Sequence, residues 1–267
     1  MGRPFLVGDE IRMAPAQVRE GWCAVDLDPR TDHLDVVTRM LLAGYWTDLG
    51  RAKHASVGAF AKVALQLLGL GAPPEILARA HAAMGDELRH ARFAFALASA
   101  FRAAPLAPGA LPVGGAVGEI DPAEVTAELV RAGCTAATVA SMEARELLER
   151  VTDPAVRFVV GEIARDTSDH VVLSWRTLQW MCDEHADHAV AAIRGEVDHV
   201  EAELERRRSE PPSFPQRDEG LLRAGYVSAR VRADLSRAAL ERVLFGLRAL
   251  VDKALPTADE AERATLV

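Results

Sequence analysis

Aromatic residues make up only 5% of the 267-residue chain, and alanine, leucine, valine and arginine fill the space they leave. That balance favours helices over sheets. Cysteine is equally scarce. Cys23, Cys134 and Cys182 are odd in number, far apart and without a CxxC pair, so they offer no disulfide framework and are expected as buried thiols in a reducing compartment. No run approaches the roughly 18 uninterrupted apolar residues of a spanning helix, and no charged stretch followed by an apolar one marks a secretory signal. A soluble, cytoplasmic chain without a membrane partner is the expectation. Positive charge is also short, with 31 Lys and Arg against 39 Asp and Glu and a formal net charge of −8. With no basic block to offset this, a nucleic-acid partner is not expected.

The length allows one large domain with a substantial core. Residues 1–30 hold Pro4, Pro15 and Pro29 and little periodicity, and read as an arm packed over the domain. A first helix is expected from Thr31 or Asp32 to about Leu68, with Gly44 or Gly50 as a candidate break. The run Gly69-Leu70-Gly71-Ala72-Pro73 stops it. Pro73-Pro74 opens a second helix to about Phe101, and residues 104–120, rich in Pro and Gly, read as a crossover loop. Asp121, Pro122 and Glu124 form a cap, a first-turn proline and a capping box for a third helix to about Arg150. Asp153-Pro154 repeats the signal for a fourth, ending near Cys182. Two helical hairpins joined by a long crossing describe an all-α four-helix bundle over residues 31–183. Residues 184–208 read as a solvated charged helix, ended by Pro211-Pro212-Ser213-Phe214-Pro215. A final amphipathic helix with Leu235, Leu240, Val243, Leu244, Leu247 and Leu250 completes a helical extension over 184–267. That stripe either covers the bundle or pairs two copies, which leaves a homodimer open.

Two polar motifs interrupt the apolar stripes of the second and fourth helices, 80 positions apart: Asp86-Glu87-Leu88-Arg89-His90 and Asp166-Thr167-Ser168-Asp169-His170. Glu87 and His90, at i and i+3, share one helix face, flanked by Ala83, Met84, Ala91 and Ala94. Ile163, Val160 and Val171 flank the second motif. Polar groups inside apolar stripes cost several kcal/mol unless paired, and each motif is the obvious partner for the other. Thr167 stands where the first motif has Glu87. The first helix has an oddity of its own: its inward stripe of Trp46, Leu49, Lys53, Val57 and Phe60 carries a lysine.

Over roughly residues 40–182 these phrases resemble the ferritin-like superfamily, in particular bacterial ferritin-like domain proteins. Lys53-His54-Ala55-Ser56-Val57 resembles a family phrase that begins with Glu. Asp86-Glu87-Leu88-Arg89-His90-Ala91 matches the family's Asp-Glu-x-Arg-His-Ala, and Asp166-Thr167-Ser168-Asp169-His170 resembles a second such motif. Cys134-Thr135-Ala136-Ala137-Thr138 resembles a phrase with Glu in place of Ala137. The resemblance implies a ferritin-like bundle and a di-iron or di-manganese site built from one Glu on each of two helices and Glu-x-x-His on the other two. Of that ligand set Glu87, His90 and His170 remain, while Lys53, Ala137 and Thr167 replace three carboxylates. The resemblance also implies that Asp86 and Asp166 each hydrogen-bond the histidine of the opposite motif.

Four carboxylates neutralise two dications. One carboxylate facing a lysine is neutral without metal, and a dication beside Lys53 is repelled. The di-metal centre is therefore expected to be lost, with no cofactor. Three functions follow. A metal-independent pocket would use Lys53, Glu87, His90 and His170 for acid–base or lysine-assisted chemistry on a small metabolite, walled by Trp46, Phe60, Ala137, Ser141 and Thr167. A non-catalytic binding or scaffold protein would keep the same groups as a satisfied core. A single iron or manganese on Glu87, His90 and His170 would make an oxidoreductase of the two-histidine, one-carboxylate kind. His54, about 100° round the helix from Lys53, reads as a rim residue. His81 reads as surface, Glu143 and Glu146 point away from Ala137 with Glu143 read as solvated, and His185, His188 and His199 read as solvent-facing.

Overall fold

The computed structural model describes residues 2–22, 27–208 and 215–254. Cys23 and the break at 211–214 lie outside the described residues. The chain is all-α apart from short strand pairs. Helix α1 spans Val36–Gly69, α2 Pro74–Arg102, α3 Pro122–Glu128, α4 Ala136–Arg150, α5 Pro154–Glu184, α6 Ala186–Arg208, α7 Pro215–Ala224 and α8 Ala229–Ala254. Among the described residues no helix is long and apolar enough to cross a membrane.

Helix α1 begins later than Thr31. The Asp35 carboxylate accepts the Thr38 amide at 2.9 Å and its hydroxyl at 2.7 Å, so Asp35 is the cap. The helix runs unbroken through Gly44 and Gly50. At Gly50 a Cβ would sit 3.1 Å from the Phe95 ring, so the glycine serves close packing of α1 on α2 rather than a kink. Helices α3 and α4 begin and end as one predicted helix should, with Asp121 accepting the Ala123 amide at 2.9 Å. Between them Leu129–Thr135 winds as a π-helix, which widens the middle of the rod.

The arm and the crossover are not wholly irregular. Strand β1 (Leu6–Val7) pairs with β2 (Glu10–Ile11), and β3 (Ala16–Val18) pairs antiparallel with β4 (Leu106–Pro108). Two strands need no central position, so Pro108 is tolerated on an edge. This second ribbon ties the arm to the crossover.

Helix α1 lies along α2, α4 along α5, and the two hairpins meet through α2 and α5. Helix α6 is not simply a solvated helix. It buries Ala189, Ile193, Val200 and Leu204 against a core shared with α3 and α8. The stripe of α8 is likewise spent on its own chain, with Leu240, Val243 and Leu247 buried.

Two large apolar clusters fill most of the interior, beside a small third one around Phe5. Of the large two, one contains Phe60, Ala83 and Leu173, and the other Trp46, Phe93 and Ala164. Lys53 falls between Trp46 and Phe60 along α1, Glu87 and His90 between Ala83 and Phe93 along α2, and Asp166 and His170 between Ala164 and Leu173 along α5. The polar motifs thus form one layer across the bundle, with an apolar cluster on either side.

Candidate functional site

Trp46, Lys53 and Phe60 are seven residues apart and share the inner face of α1. Lys53 is 0% exposed and Glu87 1%. The Lys53 ammonium donates to Glu87 Oε1 at 3.1 Å. The same oxygen lies 3.3 Å from His170 Nδ1 and 3.8 Å from His90 Nδ1. On their far sides the imidazoles meet the crossed aspartates that the resemblance implies: His90 Nε2 is 2.9 Å from Asp166 and His170 Nε2 is 3.1 Å from Asp86. Arg89, the fourth residue of the first motif, donates to Asp86 at 2.9 Å and to Asp166 at 2.5 Å, and Arg165 reaches Asp166 at 3.1 Å.

This pairing sets the charges. Burial alone would push the Glu87 carboxyl up, but Lys53 and the two imidazoles hold it well below the ordinary range. Burial would push His170 down, yet its bonds to Asp86 and Glu87 raise it, favouring an imidazolium that donates from both nitrogens. The His170 bond and Arg89 lower Asp86. Asp166 is lowered by His90 and Arg89 against its partial desolvation. Every formal charge in the layer has an opposite neighbour.

The residues do not fit the di-metal group that the resemblance implies. The two Nδ1 atoms and Glu87 Oε1 converge, but Lys53 Nζ takes the place beside that oxygen where a cation would bind. Ala137, buried on α4, has no donor atom, and Thr167 offers only a hydroxyl. Among the described residues no group of three or more His, Cys, Asp or Glu side chains is arranged to hold a metal ion.

Nor is there room for a metabolite in the centre as it stands. The cavity touching Lys53, walled by Trp46, Leu49, Ala140, Glu143 and Ile163, has a volume of about 20 Å³, enough for one water. Phe60 packs its ring on His170 at 5.1 Å between centroids. Ser141 turns away from Lys53 and approaches the Ser168 hydroxyl of α5 at 3.3 Å. Thr167 is buried with Oγ1 unpartnered, as are Glu87 Oε2 and His90 Nδ1.

The roof over this centre comes from the N-terminal arm, which was expected to pack over the domain but not named as part of the site. Ser56 donates its hydroxyl to the Arg3 carbonyl at 2.7 Å. A Cβ on Gly2 would lie 3.0 Å from Glu87 Oε2 and inside contact distance of Ser56 Oγ. Arg3 is 5% exposed, stands over the Phe60 ring at 4.9 Å and reaches Ser174 on α5 at 3.5 Å. Gly133, in the π-helical stretch, leaves the space that its guanidinium fills. Phe5 is buried on α1 beside Ala55 and Ala59.

Glu143 is also misjudged by spacing alone. It is buried and bonded at 2.7 Å by Arg232, because α8 covers the face of α4 that spacing assigned to water. His54 meets Trp22 edge-on at 5.3 Å, a rim position, and His81, His188 and His199 are exposed. His185 is half-buried against Trp180 at 5.4 Å. No family model, curated protein or solved structure matches the chain.

Proposed function

We propose that the chain is a metal-free bundle of ferritin-like plan that acts by binding rather than by catalysis, with its former site kept as a structural lock. The observation that carries this reading is Lys53: wholly buried, 3.1 Å from Glu87, beside a cavity of about 20 Å³. An isolated buried lysine or glutamate is expensive, while the matched pair fixes two helices in register. The free, buried thiols of Cys134 and Cys182 accord with a reducing, cytoplasmic setting.

The chain has three lysines, Lys53, Lys62 and Lys253. Acetylation of the native protein with acetic anhydride, read by peptide mass spectrometry, therefore reports on the centre directly. Exposed Lys253 is the internal control. A closed lock leaves Lys53 unmodified until the protein unfolds. Modification of Lys53 at a rate near that of Lys253 overturns the reading.

One specific observation favours a second reading, a metal-independent acid–base enzyme. Glu87 Oε2 and His90 Nδ1 are buried without partners, and the group covering Glu87 Oε2 is Gly2. With the arm withdrawn, the two Asp–His pairs and Lys53 would face a small substrate, His90 Nδ1 taking a proton while Asp166 holds the opposite nitrogen. Native acetylation of Lys53 is the result that supports it.

A further inference from the structure

A second feature lies on the surface, where α4, α5 and α8 meet. Here the structure leaves a solvent-open groove of about 440 Å³, within the range of small-molecule sites. Its lining includes two arginines, Arg145 of α4 and Arg242 of α8. Neither meets a carboxylate among the described residues. Arg145 donates instead to the neutral Ser168 hydroxyl at 3.0 Å, which in turn lies 3.3 Å from Ser141. Other exposed arginines of this acidic chain do find acids, as Arg150 does with Glu219 at 2.7 Å and Arg165 with Glu162 at 2.6 Å, while several, such as Arg79 and Arg92, do not among the described residues; what sets Arg145 and Arg242 apart is that both line one groove. Two guanidinium groups lining one groove without an acid make it electropositive and attract an anion.

The rest of the groove is apolar. Val172 is 44% exposed on α5, and Val243 forms part of the α8 wall. Trp175 packs its six-membered ring against α8 at Gly246, where a Cβ would collide with it. A rigid indole beside aliphatic side chains, in a groove that also presents two fork-shaped cations and hydroxyl groups, selects for both an apolar body and an anionic head.

We infer that this groove binds an organic anion with an apolar body, its carboxylate or phosphate held by Arg145 and Arg242 and its tail laid along Trp175, Val172 and Val243. The site names a ligand class for the binding role proposed above, and it stands or falls independently of whether Lys53 is acetylated.

Calorimetric titration of the full chain below the micellar limit tests it, with decanoate and decyl phosphate as the two anions and decanol as the neutral counterpart. Saturable binding of one or both anions at one per chain, at least tenfold tighter than decanol, is expected. The anion that binds tighter identifies the head group. The doubly substituted Arg145→Gln, Arg242→Gln protein should lose at least tenfold in affinity for the anions. Val172→Glu, which puts a carboxylate in the groove, should abolish binding. Both changes lie on the surface, and an unchanged thermal midpoint certifies the fold. Decanol binding as tightly as the anions, an undiminished affinity in the double variant, or no saturable binding of either anion up to the millimolar range each overturns the inference.

Discussion

Lys53 and Glu87 meet at 3.1 Å where neither touches water, 34 residues apart on neighbouring antiparallel helices. Substituting Lys53→Met leaves the carboxylate alone with two imidazoles, and removing one member of a buried pair costs about 3–5 kcal/mol. Substituting both, Lys53→Met with Glu87→Met, replaces the pair by apolar volume and should recover to within about 2 kcal/mol of the parent. Urea unfolding of the three proteins checks the order. Equal loss in the single and double variants would show that the pair is not the unit of stability.

Lys53→Glu should change what the centre binds. It removes the resident cation and adds a carboxylate next to Glu87, with the two Nδ1 atoms already facing that point. The variant is expected to bind Co²⁺ with visible absorption bands and a rise in thermal midpoint, and the parent to show neither. A parent protein that responds to Co²⁺ in the same way contradicts the charge argument.

Stability should depend on pH in two directions. The carboxyls of Glu87, Asp86 and Asp166 are lowered in the fold. Their contribution is present above the ordinary carboxylate range near 4 and is lost as pH falls through their lower values. His170 is raised. Its contribution is present below the ordinary imidazole value of about 6.5 and is lost as pH rises through its own, higher one. The thermal midpoint should therefore peak at about pH 5–6.5 and decline on the alkaline side, and His170→Gln should flatten that decline.

Unseating the arm should open the centre. A Gly2→Val side chain has no space between Ser56 and Glu87, so Gly2 and Arg3 must lift. The Cys134 thiol, pushed up to about 12 mainly by burial, is inert to disulfide reagents while Arg3 is seated. In the variant, Cys134 modification and Lys53 acetylation are each expected to rise at least tenfold over the parent. Unchanged rates would mean that the arm does not control access.

Much of this was legible in the sequence, and for identifiable reasons. Capping residues and prolines located α2 and α5 almost to the residue, since these signals act within one turn. The polar layer was legible because Glu87, His90 and His170 interrupt apolar stripes, and such interruptions demand partners. What failed were inferences across distance. Glu143 was assigned to water from its angle to Ala137, which holds only if nothing covers that face; α8 covers it, and Arg232 pairs with it. The π-helical stretch over Leu129–Thr135 has no local signature beyond Gly133. Arg3 left no trace, because an arm without periodicity reveals nothing about a pocket 171 residues further along the chain.

That separation has a consequence for how the protein is made. Arg3 is synthesised well before Ser174 and Gly133, which form its berth. At synthesis rates of about 5–20 residues per second, the wait is roughly ten to thirty seconds. Throughout that interval α1 and α2 can pair on each other, but the layer holding Lys53 and Glu87 has no roof. The arm is thus made long before the berth that it occupies.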